Sequence, residues 1–399
     1  MDWMKFFFWF LLFGIFYSYL GYGMALWIYL KMKNLIFKRK ESPDTTKYRP
    51  HVAMVVAAYN EQDFIRKKIE NTIHLEYPAD KLSVYFVTDG STDETMNIVQ
   101  QFPGVKLLHH PERKGKVAAM NRALDHITDS EILIFSDANT LLNKDCILRI
   151  TRHYIDPVVG GVSGEKKILS SGDMMVQGKG EGLYWKYESF LKKIDSEFYS
   201  VVGAAGELFS VRKNLFEKVP EDCILDDFII SLNVCRKGYV VKYEPQAYAS
   251  ETPSVSILDE QKRKVRISAG GFQSMVIMKD LLNIFRYGRL SFLYISHRVL
   301  RWAFCPFALP LMFLINGAIV WLEQAKPSVY LYLFLAQVVF YLAALAGRYF
   351  AGKKGTSIKI FYVPYYFVFM NLSVWAGLFR FLKGNQSVMW EKASRQMAV

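Results

Sequence analysis

Several polar clusters interrupt apolar runs in this 399-residue chain, and their residue types could do chemistry. "ILIFSDANTLL" stops at Asp137-Ala138-Asn139, "LSVYFVTDG" ends on Asp89 and leads into Ser91, and "HVAMVVAAY" ends in the turn Tyr59-Asn60-Glu61. Lys114-Gly115-Lys116 lies between the two aspartate clusters. Two lysines around a glycine at a helix start suit a diphosphate, through charge and backbone N–H groups. A carboxylate beside a diphosphate implies a bridging divalent cation, because the anions would otherwise repel. Further on, "ILDDFII" sets Asp226 and Asp227 inside an apolar run, where paired acids are costly unless functional or bonded. Two such neighbours raise the pKa of one of them. The plain alternative for each carboxylate is a helix cap or turn residue. "VVGAAGELF", with Gly203, Ala205, Gly206 and Glu207, is small enough for a backbone that approaches a ligand, and equally fits a tight turn.

Strands and helices must position these groups. Between Pro50 and about Gly160, short apolar runs alternate with segments of helical period. "HVAMVVAAY", "LSVYFVTDG", "VKLLHH" and "EILIFSDAN" read as strands. "NEQDFIRKKIENTIHL", "STDETMNIVQQF" and "KGKVAAMNRALDHI" read as helices, the first with Asn60 as N-cap and Ile65, Ile69 and Ile73 on one face. Such alternation predicts a parallel sheet covered on both faces, with ligands beyond the carboxyl ends of the strands. Asp89, Asp137 and the Tyr59-Asn60-Glu61 turn all stand at such ends and face one crevice.

Composition sets the surroundings. The chain is 52% hydrophobic, with 30 Phe and 24 Tyr, too apolar for a nucleic-acid binder despite its formal +13. Cys146, Cys223, Cys235 and Cys305 have no paired spacing, which predicts reduced, buried thiols rather than a zinc site or disulfides. Phe6–Leu30, Ala303–Leu322, Pro327–Gly347 and Ile360–Phe379 are uncharged runs near the 20 or so residues a bilayer requires. The first reads as a retained anchor. Lys31, Lys33, Lys38, Arg39, Lys40 and Lys47 follow it, and Lys279, Arg286, Arg289, Arg298 and Arg301 precede the second, placing the intervening region in the cytoplasm. Arg348, Lys353, Lys354 and Lys359 return the chain to that side, so four crossings leave the tail outside, against the basic Lys383, Lys392 and Arg395.

The series "AYNE", "TDGSTDET", "KGK", "SDAN", "VVGAAGELFSVRK", "LDDF" and "YEPQAYASETP" resembles, in order and spacing, the inverting, membrane-bound family 2 glycosyltransferases of the cellulose, hyaluronan and poly-N-acetylglucosamine synthase type. The resemblance implies an α/β cytosolic domain of GT-A fold, Rossmann-like with a mostly parallel sheet, between N- and C-terminal transmembrane helices. It implies a nucleotide diphosphate-sugar donor, most often a UDP-sugar, and a saccharide or lipid-linked acceptor. Tyr59, Asn60, Glu61, Asp89 and Ser91 would hold the nucleoside side, with Lys114 and Lys116 near the diphosphate. Asp137 and Asn139 match the metal motif for Mg²⁺ or Mn²⁺, the Asn lending an amide oxygen but no charge. Asp226 and Asp227 match the family's acidic pair, with Asp227 as general base, and Gly203, Ala205, Gly206 and Glu207 lie toward the acceptor. The family's Gln-x-x-Arg-Trp is altered: Arg263 replaces Gln, Arg266 is retained for the donor diphosphate, and Ile267 replaces Trp. Loss of that aromatic predicts short products.

The expected layout is an anchor at 1–31, a basic linker at 32–49, the GT-A domain at 50–270, an interfacial amphipathic segment at 271–301 that touches membrane lipids, three spans at 302–383 and a tail at 384–399. The expected location is the bacterial cytoplasmic membrane, with the catalytic domain in the cytoplasm and a role in cell-surface polysaccharide or glycolipid synthesis. The alternatives are a single-sugar transferase to polyprenyl phosphate or lipid, and a non-catalytic scaffold that binds nucleotide-sugar.

Overall fold

The computed structural model describes residues 1–37, 47–168, 177–252, 257–351 and 359–384. The orientation signals at Lys38, Arg39, Lys40, Lys353, Lys354, Lys392 and Arg395, and the last residue of the "YEPQAYASETP" motif, lie outside the described residues.

Helices α1 (Asp2–Phe16) and α2 (Tyr22–Ile36) join through a π-helical turn at Tyr17–Gly21 into one apolar rod. Strands β1 (Val52–Ala58), β2 (Leu82–Asp89), β3 (Lys106–His110) and β4 (Ile132–Asp137) follow, connected by α3 (Ile65–Ile73), α4 (Thr95–Gln100) and α5 (Lys116–His126). Every residue of β1 is buried. Ala53, Val55 and Ala57 enter one hydrophobic cluster and Val52, Met54, Val56 and Ala58 another. The continuous apolar run is therefore a period-two strand with both faces covered.

The second half adds β5 (Leu141–Leu142), α6 (Cys146–Thr151), β6 (Val159–Ile168), α7 (Gln177–Phe198), β7 (Leu208–Arg212), α8 (Asp226–Arg236), β8 (Val240–Glu251) and α9 (Ile257–Ile277). One sheet runs in the order β3-β2-β1-β4-β7-β6-β8-β5. The pairs β1–β2, β1–β4, β2–β3 and β6–β8 are parallel, whereas β7 is antiparallel to both its neighbours. Register sets Ala58 beside Thr88 and Ala57 beside Asp137, so the ends bearing Tyr59, Asp89 and Asp137 are level.

Several local expectations change. Asn60 does not cap α3: it sits in left-handed conformation at φ 51°, and the helix starts at Ile65. Its amide instead pairs with Thr92, donating from Nδ2 to Oγ1 (3.3 Å) and accepting the Thr92 N–H on Oδ1 (2.8 Å). Ile65 and Ile69 are buried, but Ile73 is 42% exposed. The boundary drawn at residue 270 falls inside α9, and the expected interfacial segment resolves into α9, a short stretch with α10 (Ile284–Tyr287), and the start of a membrane helix. That helix is continuous from Arg289 to Leu322, through α11 (Arg289–Tyr294), a π-helical stretch (Ile295–Phe304) and α12 (Cys305–Leu322). Arg298 and Arg301 lie inside it, with side chains only 13% and 11% exposed, because both pair with Glu188 from α7.

With α13 (Val329–Ala351) and α14 (Lys359–Leu382), four helical stretches among the described residues are long and apolar enough to cross a membrane: Asp2–Ile36, Arg289–Leu322, Val329–Phe350 and Ile360–Leu382. The last span is tight against α9, since a Cβ on Gly377 would come within 2.5 Å of the Ser268 Cβ and 2.8 Å of the Ala269 nitrogen. All four cysteines are buried and free, as their spacing predicts.

Candidate active site

The end of β4 delivers Asp137, and the first turn of α5 delivers Lys116, whose Nζ donates to Asp137 Oδ1 at 2.7 Å. The same ammonium is 3.7 Å from Asp226 Oδ2 at the start of α8. One lysine thus links two acidic clusters far apart in sequence. Burial works against its charge, but Asp137 and Asp226 outweigh burial and hold it firmly protonated.

Asp226 and Asp227 occupy the first turn of α8, where the helix dipole favours carboxylates, yet neither caps it in the ordinary way. Asp227 Oδ1 accepts the N–H of Phe228 at 2.8 Å, while Asp226 Oδ2 is buried without a hydrogen bond among the described residues. Burial, and then the Asp226 charge, push the Asp227 carboxyl up to about 7, against the pull of Lys116. A carboxylate with that pKa is half-ionised near neutrality and suits proton acceptance. The loop before β7 comes close: a Cβ on Gly206 would lie 3.1 Å from Asp227 Oδ2 and 3.5 Å from Lys116 Nζ. Gly203, by contrast, answers to packing. At φ +89° its Cβ position is 2.2 Å from the Phe228 ring.

Among the described residues Asn139 Oδ1 is buried with no hydrogen-bond partner, next to an Asp137 whose carboxylate pairs with Lys116. An orphaned amide oxygen beside a carboxylate is a donor set that fits a hard divalent cation. Lys68 braces this turn from below: fully buried, its Nζ donates to Ser136 Oγ at 2.7 Å and Thr140 Oγ1 at 3.4 Å, and burial pulls its pKa to about 7.

A cavity of about 840 Å³ opens here. Glu61, Lys116, Asp137, Asn139, Ala205, Gly206, Glu207, Asp226, Asp227, Arg263 and Arg266 all face it. Arg263 is held by Glu260 at 3.0 Å, and Glu207 by Lys166 at 2.6 Å, with Glu251 on the same ammonium. Burial pushes the Glu207 carboxyl up, but Lys166 prevails and holds it below its ordinary value.

Tyr59, Asn60, Asp89, Ser91, Lys114 and Gly203 do not line this cavity. The first five cluster beside it. The Asn60 N–H donates to Ser91 Oγ at 3.2 Å, and the Arg113 guanidinium lies 3.8 Å from the Tyr59 ring centre. Asp89 Oδ2 accepts the N–H groups of Lys114 (2.9 Å) and Gly115 (2.6 Å), so half of this carboxylate does turn chemistry, while Oδ1 lies 3.7 Å from the Arg122 guanidinium.

Sequence reasoning missed the opposite wall. Tyr184, Trp185, Glu188 and Lys192 from α7, and Arg298 and Trp302 from the π-helical stretch, also face the cavity. A signal for them exists in "YWKYESFLKK", where aromatic and charged residues alternate without an apolar stripe, and in basic residues within an otherwise apolar span.

A mostly parallel α/β sheet with a carboxylate motif at one strand end and a second acidic pair facing it defines a GT-A glycosyltransferase domain. Residues 53–219 match the family described as "Glycosyl transferase family 2", and this chain carries a domain of that family. It is similar to poly-beta-1,6-N-acetyl-D-glucosamine synthase of Staphylococcus epidermidis, 24% identical over 248 residues, covering 60% of this chain and 58% of that protein. The enzyme of the same description from Staphylococcus aureus strain MSSA476 is 24% identical over 250 residues, with the same coverage. The chain thus spans under two thirds of the length of these relatives. Among solved structures, the mannosyltransferase PcManGT from Pyrobaculum calidifontis, in complex with GDP-Man and Mn²⁺, superposes with a TM-score of 0.70 at 24% identity, over 95% of this chain and 99% of that one. That likeness carries the fold, with its flanking apolar helices.

Proposed function

We propose that this chain transfers a sugar, with inversion, from a nucleotide diphosphate-sugar to a hydroxyl of a saccharide or lipid-linked acceptor at the membrane. A UDP-sugar is the first candidate donor, and the family relation points to cell-surface polysaccharide or glycolipid synthesis in a bacterial cytoplasmic membrane. The single observation that carries the reading is the Asp226–Asp227 pair. It faces the Asp137–Asn139 turn across Lys116, in one cavity, with Asp227 poised near neutrality.

Asp227 takes the proton of the acceptor hydroxyl. The freed oxygen bonds to the anomeric carbon on the face opposite the diphosphate, and the bond from that carbon to the phosphate oxygen breaks. Lys116 and Arg266 face the departing diphosphate. Arg266 makes no hydrogen bond or ion pair among the described residues, and so is available to it. Asp137 and Asn139 would hold Mg²⁺ or Mn²⁺, which supplies charge neutralisation for the leaving group. Tyr59, Asn60, Asp89 and Ser91 stand on the nucleoside side, while Gly206 and Glu207 stand toward the acceptor.

Incubating the full-length protein in vesicles with a panel of nucleotide-sugars and membrane-derived acceptors, then assigning the product anomer by NMR, tests this reading. A β-linked product from an α-linked donor is expected. Retained configuration would overturn the single-displacement assignment to Asp227.

A further inference from the structure

The cavity does not end at the catalytic groups. It continues to Tyr19 of the first membrane rod and to Phe367, Met370 and Val374 of α14. Lys192, from α7, lines it and is only 3% exposed, and its ammonium has no hydrogen bond or ion pair among the described residues. Burial lowers its pKa, and its charged neighbours are Glu165, Arg298, Glu207 and Glu188. Each of those carboxylates is committed elsewhere: Glu165 to Ser189 and Tyr243, Glu207 to Lys166, and Glu188 to Arg298 and Arg301. Its ammonium lies 5.9 Å from the centre of the Trp185 ring, and an incoming anion would add the charge pairing that a buried ammonium otherwise lacks.

Its neighbours also set it apart from the donor cations. The aspartates Asp137, Asp226 and Asp227 are main charged neighbours of Lys116 and Arg266, whereas those of Lys192 are Glu165, Arg298, Glu207 and Glu188. The cavity thus holds cations in two settings, one at the metal motif and one at Lys192 of α7. The same cavity has an apolar wall, Phe367, Met370 and Val374 of α14, which a soluble nucleotide or oligosaccharide would leave unused. Asp227 as base requires a hydroxyl nucleophile, so an anion at Lys192 anchors the acceptor and does not itself attack.

We propose that Lys192 binds a phosphate group of an amphiphilic acceptor: a saccharide joined through phosphate to a lipid, its hydroxyl at Asp227 and its hydrocarbon tail along α14. This rests on the glycosyltransferase reading above and names its acceptor class.

The test compares three acceptors carrying the same sugar, with the intact chain in neutral phospholipid vesicles and radiolabelled nucleotide-sugar. One is joined to an alkyl chain by a phosphodiester, one is the neutral alkyl glycoside, and one is a water-soluble sugar phosphodiester without a tail. The phosphodiester lipid is expected to have an acceptor KM about tenfold or more below both others, as a charge-assisted contact implies. Lys192→Met should erase that advantage, and Lys192→Arg should keep most of it. Equal KM values for the charged and neutral lipids overturn the phosphate contact, and equal use of the tail-less compound overturns the lipid part. A rise in donor KM matching that for acceptor in Lys192→Met would place the lysine on the donor diphosphate and overturn the proposal. The comparison on the unmodified chain stands even if the Met variant misfolds. Absence of both sugar transfer and donor hydrolysis with every acceptor would overturn the transferase reading as well, which the other outcomes leave intact.

Discussion

At the scale of single residues, Asp227 carries the sharpest expectations. Asp227→Asn keeps the volume and loses the proton acceptor, so turnover should fall by about 10² to 10⁴ with donor KM little changed. Near-normal turnover would move the base to Asp226. In the unmodified chain the rate should rise as pH passes through about 7 and level off above it, as Asp227 ionises beside Asp226, Lys116 and Glu207. The stability sign is opposite. A carboxyl raised from its ordinary 3.8 binds its proton more tightly in the folded state, so folding loses stability as pH rises toward 7. Asp227→Asn is therefore expected to melt higher than the unmodified chain at pH 8 and similarly at pH 4, where both side chains are neutral. Calorimetry in detergent at the two pH values checks this. Asp137 belongs to the same scale. Chelation should abolish transfer and Mn²⁺ or Mg²⁺ restore it, with Asp137→Ala losing metal-dependent donor binding. Full activity in excess chelator would remove the metal from the site.

At the scale of elements, legibility followed burial on both faces. Strands β1, β2 and β4 read clearly because no charged residue interrupts them before their carboxyl ends, and their pairing on either side of β1 sets the ends bearing Asp89 and Asp137 level. Helical segments hid more. Lys67 and Lys68 are adjacent in "IRKKIENTI", yet the first is exposed and the second has no exposure at all, a choice set by where Ser136 and Thr140 lie. Glu188 and Lys192 carry no apolar pattern that marks them as buried, since it is the packing of α7 against α2, β6, β8 and α14 that covers this helix. α9 illustrates a third case. Its altered motif was visible, but the ion pair of Arg263 with Glu260 was not. Arg263 and Ile267 face the cavity without offering a flat ring there, so short products are expected. Arg263→Gln with Ile267→Trp should lengthen them on a sizing gel. Long polymer from the unmodified chain would show that another surface holds the growing end.

Across the whole molecule, the catalytic sheet and the membrane helices share one charged junction. Glu188 of α7 accepts Arg301 at 2.5 Å and Arg298 at 3.1 Å, while Asp195 on the same helix takes His297 at 2.5 Å and the hydroxyl of Tyr22. Removing this one carboxylate takes the ion pair from two largely buried guanidinium groups and leaves them their bonds to the Val202 and His297 carbonyls. Glu188→Ala should cost about 3–5 kcal/mol. The measurement is thermal unfolding in detergent, where a variant as stable as the parent would show that water already reaches these arginines.

The contact of Gly377 with Ser268 and Ala269 bears on how such an enzyme can be handled and how it can diversify. The last membrane helix touches the backbone of the helix that presents Arg263, Arg266 and Ile267, with no room for even a methyl group. A water-soluble catalytic fragment cut from this chain would therefore lack one wall of its own reaction chamber. Grafting the sheet onto foreign membrane helices should fail unless the graft carries α14 with it. In this architecture the lipid-facing helices serve as tooling for the active site, and the unit that can be exchanged is the sheet together with its last span.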